Sequence, residues 1–337
     1  MNANHILIIA PAWIGDFIMA QSLFQVLRER NPKTVIDIVA PAWTVPLAAR
    51  MPDVGEAFPL LIQHGKLALA TRWRLGRTLR ERHYQQAIVL PRSFKAALVP
   101  FVARATRRTG YLGEMRWGLL NDIRSGIAER TVDRFVALGM EPGVVLPDPL
   151  PLPRLTADRD AAVAVLARLS IAPPTKPVLV LCPGAEYGPA KRWPVTHFAA
   201  VAHKATVSGW QVWLFGSNHD ATLTTEIQQL SGKVTVDFAG RLSLVEAIDL
   251  LSLASAVVTN DSGLMHMAAA LDRPLVALFG SSDPRHTPPL SAHATILHRR
   301  LPCSPCLRRV CPRSHMKCLQ GLTPCDVLSA LPQIPRA

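Results

Sequence analysis

The sequence predicts an α/β protein made of two halves, each an open, mostly parallel sheet covered by helices. Three observations carry this. Short, continuous apolar runs alternate with helical stretches, as expected for strands buried on both faces. Several of these runs end in a glycine-containing turn. The alternation stops at a proline-rich stretch in mid-chain and then starts afresh.

The first strand is the apolar run at residues 5–10, followed by the turn "PAWIGD" and a helix over residues 17–30. "TVIDIVAP" is the next strand, which completes a βαβ unit. "QQAIVLP", "SFKAALVPFVA" and "RRTGYLG" continue as strand, helix and strand end. Between residues 144 and 177 the texture changes. "VVLPDPLPLPRL" holds four prolines in twelve residues and "APPTKP" three in six, too dense for a helix or a central strand. This is the expected linker, with one helix at 157–169. The pattern then resumes with "PVLVLCPG", "WQVWLFGS", "AVVTNDSG" and "PLVALFGSSDP" as strands, separated by helical stretches. Ligands of such sheets bind at the carboxyl ends of the strands, so the site is expected in a cleft between the halves.

A chain of 337 residues has the length of two ordinary domains, and 49% hydrophobic residues suffice to pack them. The net charge of +13 calls for an anionic partner. Nucleic acid is a poor fit, because aromatic residues make up 6% and there is no zinc finger, RNP-type strand or dense basic helix. The apolar opening lacks a basic n-region, since no Lys or Arg precedes Arg28, and Asp16 interrupts it. No uncharged run reaches the roughly 18–20 residues of a membrane span. A soluble, cytoplasmic protein is expected.

Three strand-end loops are chemically loaded. In "NDSGLMHMAAAL", Asp261, Ser262 and Gly263 open a helix whose free N–H groups and dipole favour phosphate, with His266 on its first turn. An ordinary capped helix would look the same. In "PGAEYGPAKRWP", Lys191 offers a point charge and Arg192 a fork to a diphosphate, although the Walker pattern is absent. A solvated basic loop is the plainer alternative. Asp16, after Trp13, Ile14 and Gly15, is either a first-turn acid complementing the helix dipole or a general base at the mouth of the first strand. Taken alone, the dipole role is the simpler of the two.

Together the stretches "APAWIGDFIMAQSL", "VAPAWTVPLAARMPDV", "LPRSFKAALVPF", "RTGYLGEMRWGLLND", "CPGAEYGPAKRWP" and "TNDSGLMHMAAALDRPLVALFG" resemble the ADP-heptose:lipopolysaccharide heptosyltransferase II family, in order, over residues 5–290. The resemblance implies a GT-B glycosyltransferase with two Rossmann-like parallel-sheet domains facing across a cleft. Residues 1–155 would bind the acceptor, 156–322 the donor ADP-heptose, and a helix within 323–337 would return to the first domain. The implied reaction is inverting transfer of L-glycero-D-manno-heptose to the first heptose of the lipopolysaccharide inner core, with no metal or cofactor. A heptosyltransferase I-like acceptor choice or a non-catalytic nucleotide-sugar binder are the alternatives.

By this resemblance Asp16 is the base and Lys191 offsets the charge growing on departing ADP. Trp13, Gly15 and Arg192 line the substrate sites. Ser262, Gly263 and His266 belong to the diphosphate-binding helix start, while Asp261 meets heptose hydroxyls. Gly216, Ser217 and Leu242 lie near adenosine. The acceptor, heptosyl-Kdo2-lipid A, is anionic and membrane-embedded, which would explain peripheral contact with the cytoplasmic face of the inner membrane. Arg72, Arg74, Arg77, Arg80 and Arg82, with Lys95, Arg107, Arg108 and Arg116, would collect it. Finally, Cys303, Cys306, Cys311 and Cys318 form CxxC followed by two wider gaps. That set is competent for structural zinc but lacks the second tight pair of a zinc ribbon, so free thiols are the other reading.

Overall fold

The computed structural model describes residues 4–62, 66–126 and 128–333. The chain divides into two compact units, Met1–Pro153 and Arg154–Ala337.

The first unit is built on β1 (His5–Ile9), β2 (Val35–Pro41), β3 (Ala57–Leu60), β4 (Gln86–Val89), β5 (Arg107–Tyr111) and β6 (Asp122–Arg124). All pairings are parallel, in the order β3-β2-β1-β4-β5-β6, with Ile6 opposite Ile36 on one side and Gln86 on the other. The second unit uses β7 (Val178–Cys182), β8 (Gln211–Leu214), β9 (Thr235–Asp237), β10 (Ala256–Asn260), β11 (Leu275–Phe279) and β12 (Ala294–His298). These are also parallel, in the order β12-β11-β10-β7-β8-β9. Counted within each unit the two orders are identical, 3-2-1-4-5-6, the doubly wound dinucleotide-fold order. The chain reverses direction between β1 and β4, and again between β7 and β10. Those two gaps are the topological switch points, where ligands of such sheets bind.

The central strands earn their places by burial. Ile6 to Ile9 are at most 5% exposed, and every residue of β7, β10 and β11 is buried. β3, β6, β9 and β12 are less completely buried, and the sequence pattern alone does not announce them. The first helix runs Ile14–Arg30, three residues earlier than expected, so Gly15 and Asp16 lie inside its first turn. Its side chains are buried continuously from Phe17 to Leu27, and the helix Thr131–Gly139 packs along it.

The proline-rich stretch runs along this helix. Ser22 Oγ donates to Pro151 O at 2.7 Å and Gln25 Nε2 to Leu152 O at 2.8 Å. The helix expected after it spans Arg159–Arg168, capped by Asp158, whose carboxylate accepts from the Ala161 amide at 3.0 Å.

Two expectations are corrected. The helix Pro324–Ser329, expected to return to the first domain, packs on the helix Val195–Val207 of the second unit, where Val327 and Leu322 join the core around Trp193. Its apolar face is used up there, and Trp193 Nε1 donates to Leu322 O at 2.9 Å to fix the approach.

The basic residues expected to collect the acceptor are also not all free to do so. Arg72 is 6% exposed and donates to Leu67 O at 2.8 Å, while Arg116 is fully buried and donates to Pro91 O at 2.7 Å and to Tyr111 O. Arg80 and Arg108 also donate to backbone carbonyls, Arg82 pairs with Glu56, and Arg107 pairs with Asp122 and Glu141. Arg74 and Arg77 are exposed on the helix Leu69–Thr78.

That helix also offers a test of packing against propensity. Gly76 is buried, and a Cβ there would lie 2.7 Å from Val102 Cβ and 2.9 Å from Val99 O. In an open helix Gly→Ala gains about 1 kcal/mol. Here Gly76→Ala is expected to destabilise by about 1–3 kcal/mol, read as a lowered urea midpoint at unchanged slope. A raised midpoint would contradict the packing.

Candidate active site

In the first unit Asp16 lies in the first turn of the helix that follows β1, the strand at the switch point. β1 ends at Ile9, Trp13 is extended, and the helix starts at Ile14 without a side-chain cap. Asp16 is half-buried between buried Phe17 and Trp13, which is 46% exposed. The loop after the neighbouring strand β4 is held by Arg116, whose guanidinium reaches Pro91 O and Ser93 O. Glu114 fixes the same loop by accepting from the Phe94 amide at 2.8 Å.

In the second unit the switch point is more completely furnished. Asp261 follows β10 and is 6% exposed. Lys191 ends a short turn, Pro189–Lys191, and its Nζ donates to Asp261 Oδ2 at 2.5 Å. Thus the two expected residues come together, but as an ion pair with each other. Ser262 takes the N-cap position of the helix Gly263–Ala270, and its side chain makes no cap bond. His266 is 5% exposed behind this pair. Burial pushes its pKa down to about 4, with Asp261 opposing the shift and Lys191 adding to it. His266 is therefore a buried, neutral imidazole at neutral pH.

The remaining expected residues fall along the same carboxyl edge. Gly216 and Ser217 follow β8, and half-buried Leu242 lies in the loop after β9. Arg192 donates to Ala185 O at 3.3 Å within its own loop.

Three residues that sequence reasoning passed over hold this edge in shape. Asn260 is fully buried, and its side chain donates to Pro183 O at 2.7 Å and accepts from the Trp193 amide at 3.0 Å. It therefore staples both ends of the loop that carries Lys191. Asp220, 8% exposed, accepts from the amide and hydroxyl of Ser217 at 2.9 and 2.8 Å. A Cβ on Gly184 would lie 2.5 Å from its carboxylate, so glycine is required where the β7 and β8 loops close over it. Tyr187 presents its ring 4.9 Å from Lys191 Nζ. An Asn directly before "DSG" was the one legible hint, since Asn at a strand end suits backbone stapling.

The cysteine-bearing segment lies beside this loop. Cys303, Cys306, Cys311 and Cys318 line one small cavity together with Ala190. All four are free thiols. Backbone amides, that of Met316 foremost, hold the Cys311 pKa below its ordinary value, and burial raises that of Cys318. Among the described residues, no group of three or more His, Cys, Asp or Glu side chains is arranged to hold a metal ion.

The profile of glycosyltransferase family 9 (heptosyltransferase) matches residues 72–317. The chain belongs to this family. It is 46% identical over 304 residues to lipopolysaccharide heptosyltransferase 2 of Salmonella typhimurium, with 87% of each chain covered. It is 45% identical over 305 residues to lipooligosaccharide heptosyltransferase 2 of Haemophilus influenzae, covering 87% of this chain and 88% of that one. The solved structure of E. coli ADP-heptose lps heptosyltransferase II matches with a TM-score of 0.85 at 41% identity, over 97% of both chains. A family 9 glycosyl transferase from Veillonella parvula shares the fold at a TM-score of 0.84 and 18% identity. This family 9 member is therefore a glycosyltransferase with the GT-B architecture of two parallel-sheet α/β units.

His266 gives the site a pH signature. Its ordinary pKa of 6.5 falls to about 4 in the fold, so between those values the unfolded chain binds a proton that the native state refuses. The associated stability is complete above pH 6.5 and is lost as pH falls toward 4. Urea unfolding of His266→Gln across this range is expected to show a slope shallower by about one proton. Identical slopes in variant and parent would show that His266 is not buried neutral.

Proposed function

We propose that this glycosyltransferase transfers L-glycero-D-manno-heptose from ADP-heptose to the first heptose of the lipopolysaccharide inner core, inverting the anomeric centre. The observation that carries the reading is the Lys191–Asp261 pair at the switch point of the second sheet, beside the start of the helix Gly263–Ala270. A cation and free helix amides suit a diphosphate, and a carboxylate beside them suits sugar hydroxyls.

In the reaction, the acceptor hydroxyl loses its proton to Asp16 as its oxygen bonds to the anomeric carbon. The bond from that carbon to the phosphate oxygen breaks on the opposite face, and the electron pair leaves with ADP. Lys191 and the helix amides stabilise the negative charge that grows on the leaving group. Asp261 orients the heptose through its hydroxyls, and His266, neutral and buried, adds no charge to the pair.

The acceptor is an anionic lipid, and we read the chain as peripheral on the membrane face that displays it. No described helix is long and apolar enough to cross a membrane. Arg74, Arg77 and Trp73, which is 53% exposed, all lie exposed on the helix Leu69–Thr78. Cations and an amphipathic ring suit an anionic head-group layer, at about 1 kcal/mol per basic residue.

Asp16→Ala is expected to lower turnover by about 100-fold or more while ADP binding persists. Lys191→Ala is expected to weaken ADP binding and to lower kcat by about 100-fold. ADP release from ADP-heptose, measured with core acceptors truncated one sugar at a time, checks both. Near-normal turnover by Asp16→Ala removes the base assignment, and activity on an acceptor lacking the first heptose removes the acceptor assignment. Separately, Arg74→Glu with Arg77→Glu should reduce co-sedimentation with anionic vesicles and leave neutral vesicles unaffected. Unchanged co-sedimentation would rule this helix out as the contact.

A further inference from the structure

The cysteine-bearing segment has no part in the chemistry above, yet it is bonded to the loop that carries Lys191. Its own anchor is the turn that follows β11. Ser304 Oγ donates to Gly280 O at 2.6 Å, and the Leu307 amide donates to Ser281 O at 2.7 Å. From that anchor it reaches the Lys191 loop three times. Tyr187 Oη donates to Leu307 O at 2.9 Å. The Ala190 amide donates to Arg309 O at 3.0 Å. The Arg309 guanidinium lies 5.3 Å from the centroid of the Tyr187 ring.

Contact is so close that a Cβ on Gly188 would sit 2.6 Å from Arg309 O, at a φ of +153°. On its other side the loop ends in Lys191, which is bonded to Asp261 after β10. β10 and β11 are neighbours in the sheet, so these contacts close a ring: β11, segment 304–309, Tyr187, Lys191, Asp261, β10.

Tyr187 is the side chain at which the ring passes from the segment to the ammonium group. Its hydroxyl is spent on the segment, and its ring lies 4.9 Å from Lys191 Nζ. A lysine has four rotatable bonds and loses much of its rotamer freedom when held. An aromatic ring anchored at its far end restricts that freedom before any ligand arrives, which is preorganisation.

We propose that Tyr187 is a positioning residue for Lys191, and that segment 304–309 serves as the brace that fixes Tyr187. The proposal rests on the reading that Lys191 holds the donor diphosphate. Tyr187 itself need touch neither ADP nor heptose, so its effect must pass through the ammonium group.

The test is a double-mutant cycle on the full chain. Parent, Tyr187→Ala, Lys191→Ala and the double variant are compared for ADP affinity by calorimetry and for the KM and kcat of ADP-heptose, with Tyr187→Phe as the conservative control. Thermal unfolding confirms that each variant is folded. Tyr187→Ala is expected to weaken ADP binding and raise KM by about tenfold, together with a fall in kcat. Tyr187→Phe keeps the ring but loses its bond to Leu307 O, and is expected to weaken ADP binding by less than Tyr187→Ala, within about fivefold of the parent.

On the Lys191→Ala background, removing Tyr187 should cost nothing further, because the group it positions is gone. A merely structural loss would instead lower apparent kcat through a smaller active fraction, at unchanged KM and ADP affinity. That pattern overturns the proposal, as do additive losses in the cycle or parent-like constants for Tyr187→Ala. Failure of the parent itself to bind ADP overturns the donor-site reading, and the proposal falls with it.

Discussion

The interaction on which the second unit's functional edge depends is the ion pair between Lys191 and Asp261, 2.5 Å apart at the gap where the sheet reverses direction. Its residues come from loops seventy positions apart in sequence, so the pair exists only because β7 and β10 are neighbours. A half-buried pair of this kind is weak evidence for stability, since desolvation consumes much of the attraction. What it supplies is geometry. Asn260, one residue before Asp261, staples both ends of the lysine loop, and Tyr187 restrains the lysine from the other side. Each contact is modest, and together they leave the ammonium little freedom.

The same topological constraint operates in the first unit with the opposite charge. There the loop after the first strand delivers Asp16 to the first turn of the helix Ile14–Arg30. The helix N-terminus favours that carboxylate electrostatically, so the dipole role and the catalytic role are compatible in one residue. One strand order used twice thus presents an acid at one switch point and a lysine paired with an acid at the other.

Legibility followed the strength of the local pattern. β1, β7, β10 and β11 were readable because they are buried on both faces and therefore continuously apolar. β6 reads Asp-Ile-Arg and β9 reads Thr-Val-Asp. Such edge strands exist through pairing with a neighbour, a tertiary fact that no short window contains. Asp16, Lys191 and Asp261 stand out in the sequence because strand-end loops concentrate chemistry, and the fold sets Lys191 against Asp261. Tyr187, Asn260 and Asp220 were not legible, since their partners are backbone atoms and side chains brought near by the fold. The burial of His266 was not legible either, because burial cannot be read from its position on a helix turn.

The basic residues show the limit of charge counting most directly. A net charge of +13 governs long-range attraction to anionic surfaces, whichever residues carry it. Which cations can touch a partner is decided by the fold. Arg116 spends its guanidinium on carbonyls of the β4 and β5 loops, and Arg72 on a carbonyl at the start of its own helix. An arginine serves there because its planar fork satisfies several buried carbonyls at once, which a lysine point charge cannot. Burial of the Arg116 guanidinium pushes its pKa down to about 10, so it stays charged at neutral pH while contributing nothing at the surface. Part of the basic composition is therefore internal scaffolding, and only the exposed part, to which Arg74 and Arg77 belong, is free to meet an anionic surface.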